Sequence, residues 1–386
     1  MVAPPKRRAP HKAIHYRTRD KGVFRNGTKS GGPEGDVTTE LNEKDSSNSN
    51  TLKHNQQLLN IFRNTYYELL TSSNFTEKLQ AVKQALFDRD FAKAFGDPEN
   101  LEIYAARWSP TRALCYASVF AGIRDQLEAI TTPLPPTNGS ETDDEKHTHH
   151  LSLLSIGGCA AELIAFASLL SSSPSSTTGS ITLLDSGPWS SVISSLTKTI
   201  TTPPPISKYA SAAVKSRGPE PPLINPPSRL LSSNFLQQDV LTLGPDGLSK
   251  TIGPNPSLIT LLFTLNELFT ASGIGKTTKF LLDLTSVVPF GSLLLVVDSP
   301  GSYSETTLGK ESKRYPMQWL LDRIILGTQK EPVAGRRWKK LESHDSVWFR
   351  LDQKELDYPI PLENMRYQMH LYKVQDAGLP DNSDDD

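Results

Sequence analysis

Gly157 and Gly158 close an apolar run, Leu151–Ile156, and stand directly before a second apolar stretch that begins at Ala160. A strand that turns tightly into a helix is where a doubly wound sheet takes its ligand, beyond the carboxyl ends of its strands. Glycine there lets the backbone approach the ligand and adopts left-handed dihedrals without steric cost. The complete G-x-G-x-x-G of a pyrophosphate site is not present. A turn of this kind also occurs with no ligand at all, so its meaning depends on what stands at the neighbouring strand ends.

The next apolar run, Ile181–Leu184, ends in Asp185. An acid at that point either accepts both ribose hydroxyls of a nucleoside or caps the helix that follows. Its distance from Gly157 exceeds the usual ~20 residues, and the serine-rich stretch Ser171–Ser180 accounts for the excess. The third run, Asn234–Leu241, contains Gln238-Asp239-Val240. Asp239 would accept from an exocyclic amine, and Val240 would offer an amide and pack on a base. The fourth run, Leu258–Leu265, leads to Asn266 and Glu267, and the fifth ends in Asp298-Ser-Pro-Gly-Ser-Tyr303. Asn266 is a further candidate for the ligand. Glu267 and Asp298 are the candidate general bases, although Asn266 and Glu267 would equally start a helix. Tyr303, Tyr315 and Trp319 would give a wall on which a base stacks.

Two motifs carry less. Gly275-Lys276-Thr277 imitates a phosphate-binding loop, but the first glycine of G-x-x-x-x-G-K-[ST] would fall on Thr270. His147, His149 and His150 lie in an acidic linker with no cysteine nearby, which reads as a solvated run rather than a metal site.

The elements that must position these residues alternate. Ala161–Leu170, Ser190–Ile200 and Thr277–Val288 have helical patterning, and short apolar runs lie between them. Strand alternating with helix implies a mostly parallel sheet. Ser346–Leu351 and Arg366–Val374 are strand-like with only a loop between them, which implies an antiparallel pair at the C-terminal end. An α/β, Rossmann-like, seven-stranded sheet ended by such a pair is the class I methyltransferase arrangement. Residues 52–130 have helical spacing, with Leu58, Leu59, Phe62, Tyr66, Leu69 and Leu70 on one stripe. The expected organisation is a basic tail without structure over 1–50, a helical region over 52–130, and a catalytic domain over 151–375. Loop insertions without fixed structure are expected over Ser171–Ser180 and about 201–229, and an acidic tail over 376–386.

Composition bounds the rest. The chain has 386 residues and a formal net charge of -1. Its charge is uneven: Lys6, Arg7, Arg8, Lys12, Arg17, Arg19, Lys21, Arg25 and Lys29 face a single acid, Asp20, in the first thirty residues. Such an arm suits phosphates or nuclear import. Two cysteines, Cys115 and Cys159, build neither a disulfide framework nor a zinc ribbon. No apolar run approaches the length of a membrane span. Neither metal nor membrane is expected, and a monomer is.

Tyr104-Ala-Ala-Arg107-Trp108-Ser-Pro-Thr-Arg112-Ala-Leu114, the LSIGG turn, DSPGSYSE (Asp298–Glu305) and YPMQWLLD (Tyr315–Asp322) together resemble the fungal large-subunit ribosomal RNA methyltransferases that modify uridine at N(3). The resemblance spans about residues 52–375. It implies S-adenosyl-L-methionine as cofactor, ribosomal RNA or a pre-ribosomal particle as partner, and the nucleus or nucleolus as location. Arg107, Trp108 and Arg112 would then cover the pocket or touch RNA, with structural ion pairing as the alternative. Ser155 and Cys159 depart from the family pattern, where an acid and a further glycine are usual. The same core would also serve a protein or small-molecule methyltransferase, or a cofactor-binding assembly factor without catalysis.

Overall fold

Leu293 to Val297 are apolar without a break, the pattern of a strand covered on both faces. In the computed structural model they lie near the middle of the sheet. The structure describes residues 37–134, 148–204, 206, 209–301, 303–308 and 311–378, with backbone alone for 37–48, 214, 303–308, 311–314 and 329. The strands are β1 His149–Ile156, β2 Thr177–Asp185, β3 Leu230–Gln237, β4 Leu258–Leu262, β5 Leu293–Asp298, β6 Arg336–Phe349 and β7 Met365–Asp376. Their order is β3-β2-β1-β4-β5-β7-β6. The first five are parallel, and β7 runs antiparallel between β5 and β6. A two-residue strand, Thr132–Pro133, pairs antiparallel with the start of β1. The mostly parallel sheet with its antiparallel C-terminal pair is therefore the expected class I architecture. Because the order reverses at β1 and β4, their carboxyl ends open a crevice.

The helices are α1 Val37–Thr65, α2 Phe75–Phe87, α3 Pro98–Arg107, α4 Ser109–Gly122, α5 Ala160–Ser172, α6 Ser190–Thr201, α7 Gly244–Ile252, α8 Leu265–Ser272, α9 Ile274–Val287 and α10 Met317–Ile325. Strand side chains alternate between two cores. Leu293, Leu295 and Val297 meet α1 to α6, whereas Leu294 and Val296 meet α7 to α10. Trp338 of β6 is fully buried in the second core, where its indole N–H donates to Thr285 at 2.9 Å.

The chain divides into the compact units Met1–Asn48 and Ser49–Asp386. The helical region from Ser49 onward belongs to the same unit as the sheet. The loop between β6 and β7 reaches back to it: Tyr358 donates to the Ala106 carbonyl at 2.7 Å, and Gln56 donates to that of Asp357 at 2.9 Å.

Several boundaries differ from expectation. Helix α1 starts at Val37, inside the segment expected to lack structure, while residues 1–36 lie outside the described residues. Ser171–Ser180 is not a free insertion, because α5 runs to Ser172 and β2 begins at Thr177. Serine and threonine serve there because their hydroxyls bond back to the helix, as Ser173 does to Leu169 at 2.7 Å. Within Thr201–Arg229, Leu223 and Ile224 are buried, and Arg229 donates to the carbonyls of Ser173 and Pro174. The proline-rich stretch is thus anchored at its end by a buried guanidinium. Tyr303–Leu308 and Glu311–Pro316 form a separate antiparallel hairpin that the spacing did not announce.

Candidate functional site

The turn after β1 has the left-handed geometry that glycine permits, with φ +72° at Gly157. Its amide donates to the Leu184 carbonyl at 2.8 Å, which ties the turn to the end of β2. A β-carbon on Gly158 would fall within the carboxyl group of Glu162, in the first turn of α5. Ser155, where the family usually has an acid, donates its hydroxyl to the Gly158 carbonyl at 3.0 Å. A local hydrogen bond thus braces the turn from that position.

Asp185 ends β2, and its carboxylate accepts from the Gly187 amide at 2.7 Å. Burial pushes its pKa up, against the pull of that hydrogen bond. At the end of β3 the chain turns into a short 3₁₀ segment, Val240–Thr242, rather than continuing as strand to Leu241. Asp239 caps this segment by accepting from the Leu241 amide at 2.9 Å, and Val240 is buried beside it. Gly157, Gly158, Asp185, Asp239, Val240 and Glu267 all line one cavity of about 290 Å³.

The helical region supplies the rest of the wall. Phe91, Phe95, Tyr104, Ser109 and Arg112 line the same cavity. Tyr104 packs edge-on against Phe95 at 5.1 Å and Trp189 at 6.0 Å. Arg112 is held between the rings of Tyr104, at 5.4 Å, and Phe263, at 5.2 Å, and donates to the Tyr104 hydroxyl. Phe263, just past β4, has φ +58°. A bulky residue in that region costs on the order of 1–3 kcal/mol, which persists only where the surroundings impose it.

Three charged groups converge at this end. Burial pushes the Glu162 carboxyl up to about 7, with Arg112 opposing and Asp185 adding to the rise. The protein packed around the Glu267 carboxyl pushes it up to about 7 as well, again opposed by Arg112 and raised by Asp298 and Asp185. One cation thus stands among acids poised to change charge near neutrality.

Residues 62–373 match the model of a family described as putative SAM-dependent methyltransferases. The chain belongs to this family. It is 34% identical to the 25S rRNA (uridine(2843)-N(3))-methyltransferase of Saccharomyces cerevisiae, over 82% of this chain and 85% of that protein. Solved structures include an O-methyltransferase family 2 protein from Planctomyces limnophilus, 14% identical over 80% of this chain and 68% of that one, TM-score 0.33. Another is an S-adenosylmethionine-dependent methyltransferase from Clostridium acetobutylicum, 10% identical over 75% of this chain and 98% of that one, TM-score 0.32.

The cavity fits a methyltransferase's cofactor. It offers a turn with no room for β-carbons, a half-buried acid at the end of β2, and one guanidinium with the Glu162 carboxyl for a charged amino-acid end. The remaining sequence candidates fall elsewhere. Asp298 is buried but does not line the cavity. Its two oxygens accept from the Asn266 amide at 3.0 Å and the Ser299 amide at 2.7 Å, so it joins β5 to the start of α8. Asn266 also stays outside the lining, and its backbone amide donates to Asp298. Arg107 is buried in an ion pair with Glu363, and Trp108 packs behind Tyr104 at 5.0 Å; neither lines the cavity. Trp319 stands on α10, against a different groove, and the side chain of Tyr303 lies outside the described residues. Sequence reasoning missed Glu162, Tyr104 and Phe263. A lone acid in an apolar helix was the signal for Glu162, whereas nothing in the local pattern marks the other two.

Proposed function

We propose that this methyltransferase modifies N(3) of a uridine in large-subunit ribosomal RNA. The observation that carries the reading is the 34% identity that extends over 85% of the yeast enzyme's length. It covers the helical region as well as the core, and that region walls the cavity here.

S-adenosyl-L-methionine, when bound, supplies an electrophilic methyl on a sulfonium. Asp185 would hold its ribose hydroxyls, and Asp239 and Val240 would hold its adenine. The turn at Gly157–Gly158 lets the backbone close on the nucleoside. Arg112 would take the amino-acid carboxylate, and Glu162 the ammonium. Glu267 would accept the N(3) proton of the uracil, leaving the electron pair of that nitrogen free to take the methyl. A carboxyl with a pKa near 7 is suited to such transfer at neutral pH. Because pairing hides N(3), the uridine must be single-stranded or flipped out of its helix. The basic residues between Lys6 and Lys29 suit phosphate contact and import into the nucleus, where pre-ribosomal particles assemble.

Nucleoside mass spectrometry of ribosomal RNA from cells with and without the gene tests the reading. Loss of N(3)-methyluridine from the large-subunit RNA is expected, and an unchanged level refutes it.

A further inference from the structure

Tyr315, Trp319 and Arg323 follow one another at four-residue spacing, so they lie along one side of α10 and its approach. The rings of Tyr315 and Trp319 stack at 5.0 Å and 15°. The guanidinium of Arg323 sits 5.6 Å from the Trp319 ring. The core takes the other side of the helix, through Met317, Leu320, Leu321 and Ile325. Trp319 is left 46% exposed, which is unusual for so large an apolar ring.

This ladder is one wall of a groove of about 1300 Å³, whose other wall is the start of α9. The groove is continuous with the cofactor cavity along the chain: Ala271 and Ser272 line the cavity, and Gly273 and Ile274 line the groove. Its charged lining is one cation, Arg323, and one acid, Glu331. Lys276 and Lys330, next in sequence to lining residues Gly275 and Glu331, are exposed and, like Arg323, have no ion-pair partner among the described residues. Asp322 is already tied to Lys340 at 2.8 Å.

A flat aromatic face with a stacked guanidinium and lysines at its margin matches the chemistry of single-stranded nucleic acid, which offers π-faces and phosphates together. We infer that the groove stacks a base of the RNA strand that neighbours the methylated uridine. The inference rests on the RNA reading above.

The test uses the full chain and a single-stranded RNA of about ten nucleotides, within the usual site size, carrying 2-aminopurine. Trp319→Ala should weaken binding about tenfold and relieve the quenching of 2-aminopurine. Trp319→Phe should stay within about twofold of the parent, since it keeps a stacking face. Arg323→Ala should bind about threefold more weakly with a shallower salt dependence. Calorimetric affinity for S-adenosyl-L-methionine should be the same in all of them. Parental affinity and quenching in Trp319→Ala would overturn the inference. If that variant does not fold, parental affinity and salt slope in Arg323→Ala would overturn it instead. Loss of the groove's role with intact RNA binding by the parent sinks this inference alone. A parent protein that binds no RNA sinks the substrate reading with it.

Discussion

The side chain of Thr264 occupies the space that a β-carbon on Gly157 would need, with its Oγ1 2.6 Å from that position and donating to the Gly157 carbonyl at 3.2 Å. The end of β4 therefore sets the shape of the turn after β1. Gly157→Ala meets both this collision and a positive φ. It should cost more than about 1 kcal/mol in chemical denaturation, because the native dihedral is incompatible with a side chain. It should also weaken calorimetric binding of S-adenosyl-L-methionine. Adding Thr264→Ser, which removes the colliding methyl, should recover part of the stability. Equal stability of the single variant and the parent would show that the turn does not depend on this packing.

Asp185 is the acid on which cofactor binding should depend most. Asp185→Ala removes the carboxylate at the end of β2 and should abolish detectable binding in calorimetry. Asp185→Asn keeps the shape and the bond to the Gly187 amide, so it should retain weak binding. Parental affinity in Asp185→Ala would remove the residue from the site.

Glu267 and Asp298 separate by experiment as they do by position. Glu267→Gln should lower kcat by about 10²–10⁴-fold, the range for losing a general base, with cofactor affinity little changed. In the parent, log kcat should fall with unit slope below pH 7, because the carboxyl, pushed up to about 7, must be ionised to take a proton. The variant should lose that limb. Asp298→Ala should act on stability instead, by about 1.5–3 kcal/mol for hydrogen bonds to a buried charge. A parental pH profile in Glu267→Gln would dismiss the base assignment.

These contrasts show what the sequence made legible. Gly157, Asp185 and Asp239 were readable because each closes an apolar run, and a parallel sheet brings strand ends together. Asp298 closes a run in the same way, yet it faces backbone amides of its own neighbourhood; pattern gives the strand end and not the direction of the side chain. Arg112 was singled out within the Tyr104–Leu114 motif, but its place between Tyr104 and Phe263 depends on how α3 and α4 pack against the sheet. No local spacing encodes that packing. The left-handed Phe263 was equally hidden, since a phenylalanine after a strand ordinarily continues it. The anchoring of the proline-rich stretch by Arg229 escaped for the same reason, because its partners lie more than fifty residues away.

His370 gives the fold a pH dependence of its own. It is fully buried in β7, with its ring nitrogens on Ser343 at 2.9 Å and Gln368 at 3.1 Å. Burial and the nearby Lys340 push its pKa down to about 4, with Asp322 and Asp345 pulling the other way and His344 adding to the fall. An unfolded chain protonates histidine near 6.5. Above that pH the ring is neutral in both states and contributes no dependence. As pH falls from 6.5 toward 4, the unfolded state gains a proton that the folded state refuses, so stability drops. Below 4 both states carry the proton and the loss is complete. Glu162 and Glu267 act oppositely: their raised folded pKa values mean that stability falls as pH rises from about 4.5 to 7. The informative quantity is therefore the difference between parent and His370→Gln, each melted across pH 4 to 8. That variant keeps a polar side chain for Ser343 but cannot titrate. Its Tm relative to the parent should rise steadily as pH falls through 6.5 to 4 and be constant above 7. A constant difference over the whole range would mean that His370 is protonated alike in the folded and unfolded chain.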